Sequence, residues 1–131
     1  TIPRLSFFRG RNIARFLLLS ENKISEPREK DQTLVKTTKK LVKEVTSDLD
    51  EFRLGNAAEK IYQFSWHEFA DGFVEDYKKG LVSYQVMLSS FQTILKLLHP
   101  FMPYVTEEIF QILKQSGLPI KAKALIITPW P

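Results

Sequence analysis

Cysteine is absent from the 131 residues. That excludes a disulfide scaffold, thiolate chemistry and cysteine-based zinc sites together. There is no initiating methionine, no charged leader ahead of a short apolar stretch, and no apolar run near twenty residues. Neither a signal peptide nor a membrane span is expected, and a cytoplasmic location fits best. Histidine occurs only as His67 and His99, in different segments, with no helix-spaced His or Cys beside either to complete a metal site. No glycine-rich phosphate loop and no nucleophile elbow occur. Internal repeats and low-complexity stretches are also missing.

Glycine and proline are sparse and sit at joints. Pro27, Gly55, Gly80, Pro100, Pro103, Gly117 and Pro119 divide the chain into helix-length pieces, while Gly10 and Gly72 fall inside helical patterns. Period 3.6 dominates between the joints. Residues 4–21 read as a first helix, with Phe8, Ile13, Phe16 and Leu17 apolar and arginines between them. Residues 32–52 form a second, through Leu34, Thr38, Leu41, Val45, Leu49 and Phe52, with Asp31 placed to cap its first amides. Residues 56–79 carry Ala58, Tyr62, Trp66, Phe69, Phe73 and Tyr77. Residues 81–98 carry Leu81, Tyr84, Leu88, Phe91, Leu95 and Leu98. A shorter fifth helix follows Pro103, which suits a first turn where its missing N–H costs nothing; Glu107 and Glu108 are expected near that helix start, against its positive dipole end. Residues 124–128 are a short β-type run between prolines, too little for a sheet. The fold expected is all-α: an antiparallel bundle of about five helices with a short extended tail, monomeric, its core built on Trp66, Phe69, Leu88, Phe91 and Leu95. The 44% hydrophobic content suffices for one such core.

The net charge of +4 is unevenly placed. Residues 1–23 hold Arg4, Arg9, Arg11, Arg15 and Lys23 against Glu21 alone, whereas residues 24–56 balance seven bases with seven acids. Arg4, Arg11 and Arg15 fall close to one helical stripe, with Phe8 between them and Arg9 and Asn12 on its flanks. Arginine forks, an amide and an exposed ring are the groups that hold single-stranded RNA loops, through phosphates, base edges and stacking. A solvated helix face is the plainer alternative. The aromatic row from Tyr62 to Tyr77 reads as core, because each ring removes a large apolar area from water. His67 and Glu68 could suggest acid–base work, but neither has an evident triad or metal set, and a polar helix face accounts for them.

The same residues resemble a known family over nearly the whole chain. Asn12-Ile-Ala-Arg15-Phe16-Leu17-Leu18 is similar to the Asn-Ala-Ser-Arg-Phe-Val-Leu segment of valyl-tRNA synthetases. The stretches from Leu49 to Ala58 and from Ile61 to Phe69 resemble the long helix of their anticodon-binding domain. The run from Leu97 to Phe110, with Pro100-Phe-Met-Pro103 inside it, is the strongest match. Leu125-Ile-Ile-Thr-Pro-Trp-Pro131 resembles the segment closing that domain. The isoleucyl, leucyl and methionyl enzymes share the architecture with weaker versions of the proline block; Trp66-His-Glu-Phe69 and the Trp-Pro ending favour the valyl group. There are departures. Ala70-Asp71-Gly72-Phe73 stands where the family has Cys-Asp-Trp-Tyr, and glycine for tryptophan costs about 1 kcal/mol of helix propensity relative to alanine. Phe110 replaces a tryptophan, and Gly10-Arg11 replaces a lysine and large apolar residues.

The resemblance implies that residues 1–131 are one anticodon-binding module of a class I synthetase, with the catalytic, editing and coiled-coil domains elsewhere in a longer chain. Thr1 and Pro131 are then expected to be internal points of that polypeptide. The implied partners are the tRNA anticodon stem-loop and the catalytic domain of the same chain. No cofactor is expected in this module, ATP with magnesium being handled in the parent enzyme, which is a ligase. The expected RNA-binding residues are Arg4, Phe8, Arg11, Asn12 and Arg15; no catalytic or metal-binding residues are expected. Two other readings are a helical protein–protein interaction module and a small enzyme built on His67 and Glu68.

Overall fold

The computed structural model describes residues 10–17 and 28–115. Every regular element among them is helical: α1 over residues 10–17, α2 over Asp31–Asp50, α3 over Leu54–Gln63, a wide π-helical coil over Phe64–Phe73, α4 over Val74–Lys78, α5 over Tyr84–Leu98 and α6 over Pro103–Gln115. α3, the wide coil and α4 run on without a break, so the long helix expected over 56–79 exists with slightly earlier ends. The expected all-α bundle is the fold. The parts of the first helix beyond 10–17, and the β-type run at 124–128, lie outside the described residues.

α5 is the most apolar helix and sits centrally, with α2, α3, α4 and α6 packed around it. Tyr84, Met87, Phe91, Ile94, Leu95 and Leu98 are buried along it. Phe91 stacks on Phe69 of the wide coil, ring centroids 6.1 Å apart and planes 8° from parallel. Trp66, Phe69, Phe91 and Leu95 are therefore core as expected. Leu88 is not: it is half-buried, and Met87 takes its place. The stripe through 87, 91, 94 and 98 is the one that meets neighbours on several sides, and Leu88 lies at its margin.

The wide coil changes which residues face inward. Ile61 to Trp66, Phe64 to Phe69 and Phe69 to Val74 are each five residues apart, and all of them are buried. That is the period of i→i+5 hydrogen bonding rather than of an α-helix. Tyr62, Phe73 and Tyr77, expected inside from a 3–4 spacing, are only partly buried against the cluster.

α2 and α5 run parallel in register. Asp31 meets Ser83, and seven residues further along each helix Thr38 Oγ1 donates to Ser90 Oγ at 3.3 Å. The start of this pairing corrects the expected role of Asp31. It does not cap α2, whose cap residue is Lys30 and makes no side-chain cap bond. Its carboxylate instead accepts the backbone N–H of Arg28 at 2.9 Å and of Ser83 at 2.7 Å. Lys30 N–H donates to Leu81 O at 2.8 Å alongside, so the entry to α2 is stitched to the entry to α5. α3 returns antiparallel to α2, with Asp48 at the end of α2 bound to Lys60 Nζ at 2.7 Å and to Arg53 Nη2 at 3.0 Å.

Two helices end in the same left-handed stop. After α4, Gly80 has φ +80°, its N–H donates to Tyr77 O, and Leu81 N–H donates to Asp76 O. After α2 the pattern repeats with Phe52 at φ +60°, its N–H on Leu49 O and Arg53 N–H on Asp48 O. Glycine is the usual residue at such a stop, because a side chain is strained there. Phe52, expected on the apolar stripe of α2, thus lies outside the helix and 86% exposed. Glu107 and Glu108 also move: α6 starts at Pro103, so both lie in its second turn, and Glu107 accepts Gln111 Nε2 at 2.8 Å instead of facing the helix end.

Two outcomes test this arrangement. Phe91→Ala is expected to lower stability by about 3–5 kcal/mol, as truncation of a core aromatic does; a thermal melt shifted no further than by a surface change would remove Phe91 from the core. Burial raises the Asp31 carboxyl, but the N–H groups of Arg28 and Ser83 outweigh it and hold the group below its ordinary 3.8. Its contribution is then present above that value and is lost as pH falls through the depressed one. Asp31→Asn should cost about 1–3 kcal/mol near neutrality. Denaturant titrations should show the gap to the unsubstituted chain closing as pH drops below about 4, the ordinary carboxyl range. A gap that is constant with pH would deny the carboxylate this role.

Candidate nucleic-acid interface

α1 is short and two-faced. Gly10, Ile13, Ala14 and Leu17, at i, i+3, i+4 and i+7, are buried. Gly10 allows the closest approach: a Cβ there would run into Ile109 Cδ1, with Cη2 of Trp66 also at 3.4 Å. The backbone of α1 thus lies against α6 and the wide coil. The departure from large apolar residues at position 10 fits this contact.

The opposite face carries Arg11, Asn12 and Arg15. Asn12 and Arg15 are exposed and Arg11 is half-buried. Arg11 and Arg15 are one turn apart on the same side, with Asn12 next to Arg11. Such a face offers two planar guanidinium forks and an amide to phosphate oxygens and base edges. Three of the five expected RNA-binding residues are therefore brought together; Arg4 and Phe8 lie outside the described residues.

Phe16 is closed off. Its ring meets Tyr77 edge-on at 5.7 Å and 86°, and Lys78 Nζ stands 5.2 Å from its centroid. It fastens α1 to α4 and brings Lys78, which also pairs with Glu75 at 3.2 Å, beside the helix. No pattern in the sequence announces Lys78 as a neighbour of α1, because the two are some sixty positions apart and meet only through packing.

His67 and Glu68 do not converge. Both are exposed, and His67 Nδ1 lies 3.9 Å from Asp71 Oδ2, beyond hydrogen-bond range. Glu68 lines a cleft of about 290 Å³ between α2 and α3, floored by Leu41 and Phe64 and walled by Lys40, Glu44 and Lys60; His67 does not reach it. His99 is structural. Its Nδ1 is 2.9 Å from Thr106 Oγ1, whose own proton goes to Met102 O, so the ring nitrogen donates and ties the α5–α6 turn. A second concavity of about 460 Å³, between α3 and that turn, is lined chiefly by Tyr62, Leu98, Phe101 and Met102, with Glu59 its one carboxylate. Among the described residues no three His, Cys, Asp or Glu side chains group as metal ligands, and no helix is long and apolar enough to cross a membrane.

A helical bundle with an arginine–amide face does not by itself name a family, and comparison with known proteins does. Residues 31–131 match the family model described as the anticodon-binding domain of tRNA ligase, and the chain belongs to that family. The relatives are more particular. The chain is 35% identical to a valine–tRNA ligase of Clostridium acetobutylicum across 92% of its own length, and 38% identical to that of Carboxydothermus hydrogenoformans across 77%. A chloroplastic/mitochondrial valine–tRNA ligase of Arabidopsis thaliana is 39% identical across 70%. The chain spans 15%, 12% and 10% of the lengths of these three relatives.

Proposed function

We propose that this domain grips the anticodon stem-loop of a tRNA as part of a valine–tRNA ligase, a cytoplasmic enzyme that charges its tRNA at the expense of ATP. The observation that carries the reading is the family match over residues 31–131, together with relatives that are valine–tRNA ligases. Arg11, Asn12 and Arg15 are the residues we assign to the RNA from the described face, with Arg4 and Phe8 assigned from sequence alone. Amino-acid activation, with ATP and magnesium, belongs to the catalytic domain of the same longer chain, and the module works as one arm of a monomeric enzyme away from any membrane. The arginines contribute forked contacts to phosphates and base edges; an exposed ring contributes stacking.

Full-length enzyme is the material for the test. If the α1 face neutralises two to four phosphates, its share of the slope of log tRNA affinity on log salt should be roughly −1.5 to −3. Arg15→Ala or Arg11→Ala should each reduce that slope by about 0.7 to 1 and lower charging of cognate tRNA relative to anticodon variants. If both variants leave slope, charging and anticodon discrimination unchanged, the RNA surface lies on another helix.

A second expectation concerns the exposed His67. His67→Ala should shift stability by no more than about 0.5 kcal/mol, as surface changes do, and should leave ATP–pyrophosphate exchange by the full-length enzyme intact. Collapse of exchange with folding preserved would place chemistry on this helix after all.

A further inference from the structure

α2 has a face that the reading above does not use. Its buried side, through Leu34, Leu41 and Val45, is spent on the bundle. Outward it exposes Lys36, Lys39, Lys40 and Lys43, and the other exposed positions between 32 and 47, Gln32, Thr33 and Ser47, are neutral. Only Lys40 has an acidic partner, Glu44 at 3.9 Å; Lys36, Lys39 and Lys43 make no ion pair among the described residues. The four lysines form i, i+3 and i, i+4 pairs throughout, and each like-charge pair costs the helix a few tenths of a kcal/mol, about 0.2–0.5. Apart from the Lys40–Glu44 contact, no ion pair among the described residues offsets this repulsion. The face is also all lysine, where the α1 face is arginine: compact charges on flexible stems suit phosphates at any sequence, whereas forks suit defined geometry.

We infer that the Lys36–Lys39–Lys43 row is a second RNA contact, a sequence-independent rail for the phosphate backbone of the tRNA. From Lys36 to Lys43 the helix rises about 10 Å, enough for roughly two to three phosphates along one strand. The row positions the RNA, and the arginine–amide face of α1 reads it. This inference rests on the tRNA-binding reading and adds to it a surface whose loss weakens every tRNA alike.

The test is a salt series of tRNA binding by full-length enzyme carrying Lys36→Gln, Lys39→Gln and Lys43→Gln together, with the triple Lys→Arg enzyme as the charge-preserving partner. Glutamine keeps helix propensity, so far-ultraviolet circular dichroism should be unchanged. The Gln enzyme should show a slope of log affinity on log salt shallower by about 2 to 3. It should lose the same factor for cognate tRNA and for tRNA with an altered anticodon, and the Arg enzyme should keep the original slope. An unchanged slope overturns the rail. Lost binding to polyglutamate beside an unchanged tRNA slope also overturns it, and assigns the row to an acidic protein segment. Anticodon discrimination by the unsubstituted enzyme reports separately on the parent reading: its absence sinks that reading, whereas an unchanged slope with discrimination intact sinks only the rail.

Discussion

The stacked pair of Phe69 and Phe91 is the contact on which the bundle depends, because it joins the central helix α5 to the middle of the long helix that runs from α3 through the wide coil to α4. Phe91 lies midway along the central helix, and Phe69 lies midway along the wide coil. Phe64 adds a third ring at 6.3 Å from Phe69. Trp66 and Ile109 both border Gly10, so α1 seats against the wide coil and α6 together. The helix that carries Arg11, Asn12 and Arg15 is therefore seated by the packing of its opposite face.

Charge does a different task. Asp48 is only 2% exposed and is bound by Lys60 and Arg53; the Lys60 hydrogen bond, ahead of Arg53 and against the cost of burial, holds its carboxyl below the ordinary range. Asp31 is held low in the same direction by backbone amides. Acid thus weakens the bundle at both ends of α2, where one carboxylate secures the turn into α3 and the other secures the start of α5. The exposed Lys36, Lys39 and Lys43 follow the opposite logic, making no ion pair among the described residues.

Helix number, fold class and the buried side chains of Trp66, Phe69, Phe91 and Leu95 were legible in the apolar spacing, since long periodic segments with few breakers have one reading. Three things were not. The five-residue spacing of Ile61–Trp66, Phe64–Phe69 and Phe69–Val74 was present, but the overlapping 3–4 pattern through Tyr62 and Tyr77 hid it. The stop after α2 was hidden because Phe52 occupies a position where glycine is the usual signal. The pairing of Asp31 with Ser83 joins residues 52 positions apart, and a local rule sees only a helix cap. At the site, the arginine–amide cluster on α1 was legible because it lies within two helical turns. Lys78 was not, because it arrives by packing, and the lysine row of α2 was masked by the balanced charge of its segment as a whole.

The wide coil sets what kinds of sequence change this region can absorb. Each residue in it turns the chain through a smaller angle than in an α-helix. The last five residues, Val74–Lys78, therefore point where they do only because the ten before them are wound loosely. Exchanging one side chain there alters a local contact. Removing one residue would tighten the winding and rotate the distal turn about its axis, carrying Tyr77 and Lys78 away from Phe16. Among descendants of this chain, the exposed positions of this segment, such as His67, Glu68 and Asp71, should accumulate replacements, while its length should not change. A lineage that did lose a residue there would have to rebuild the seat of α1.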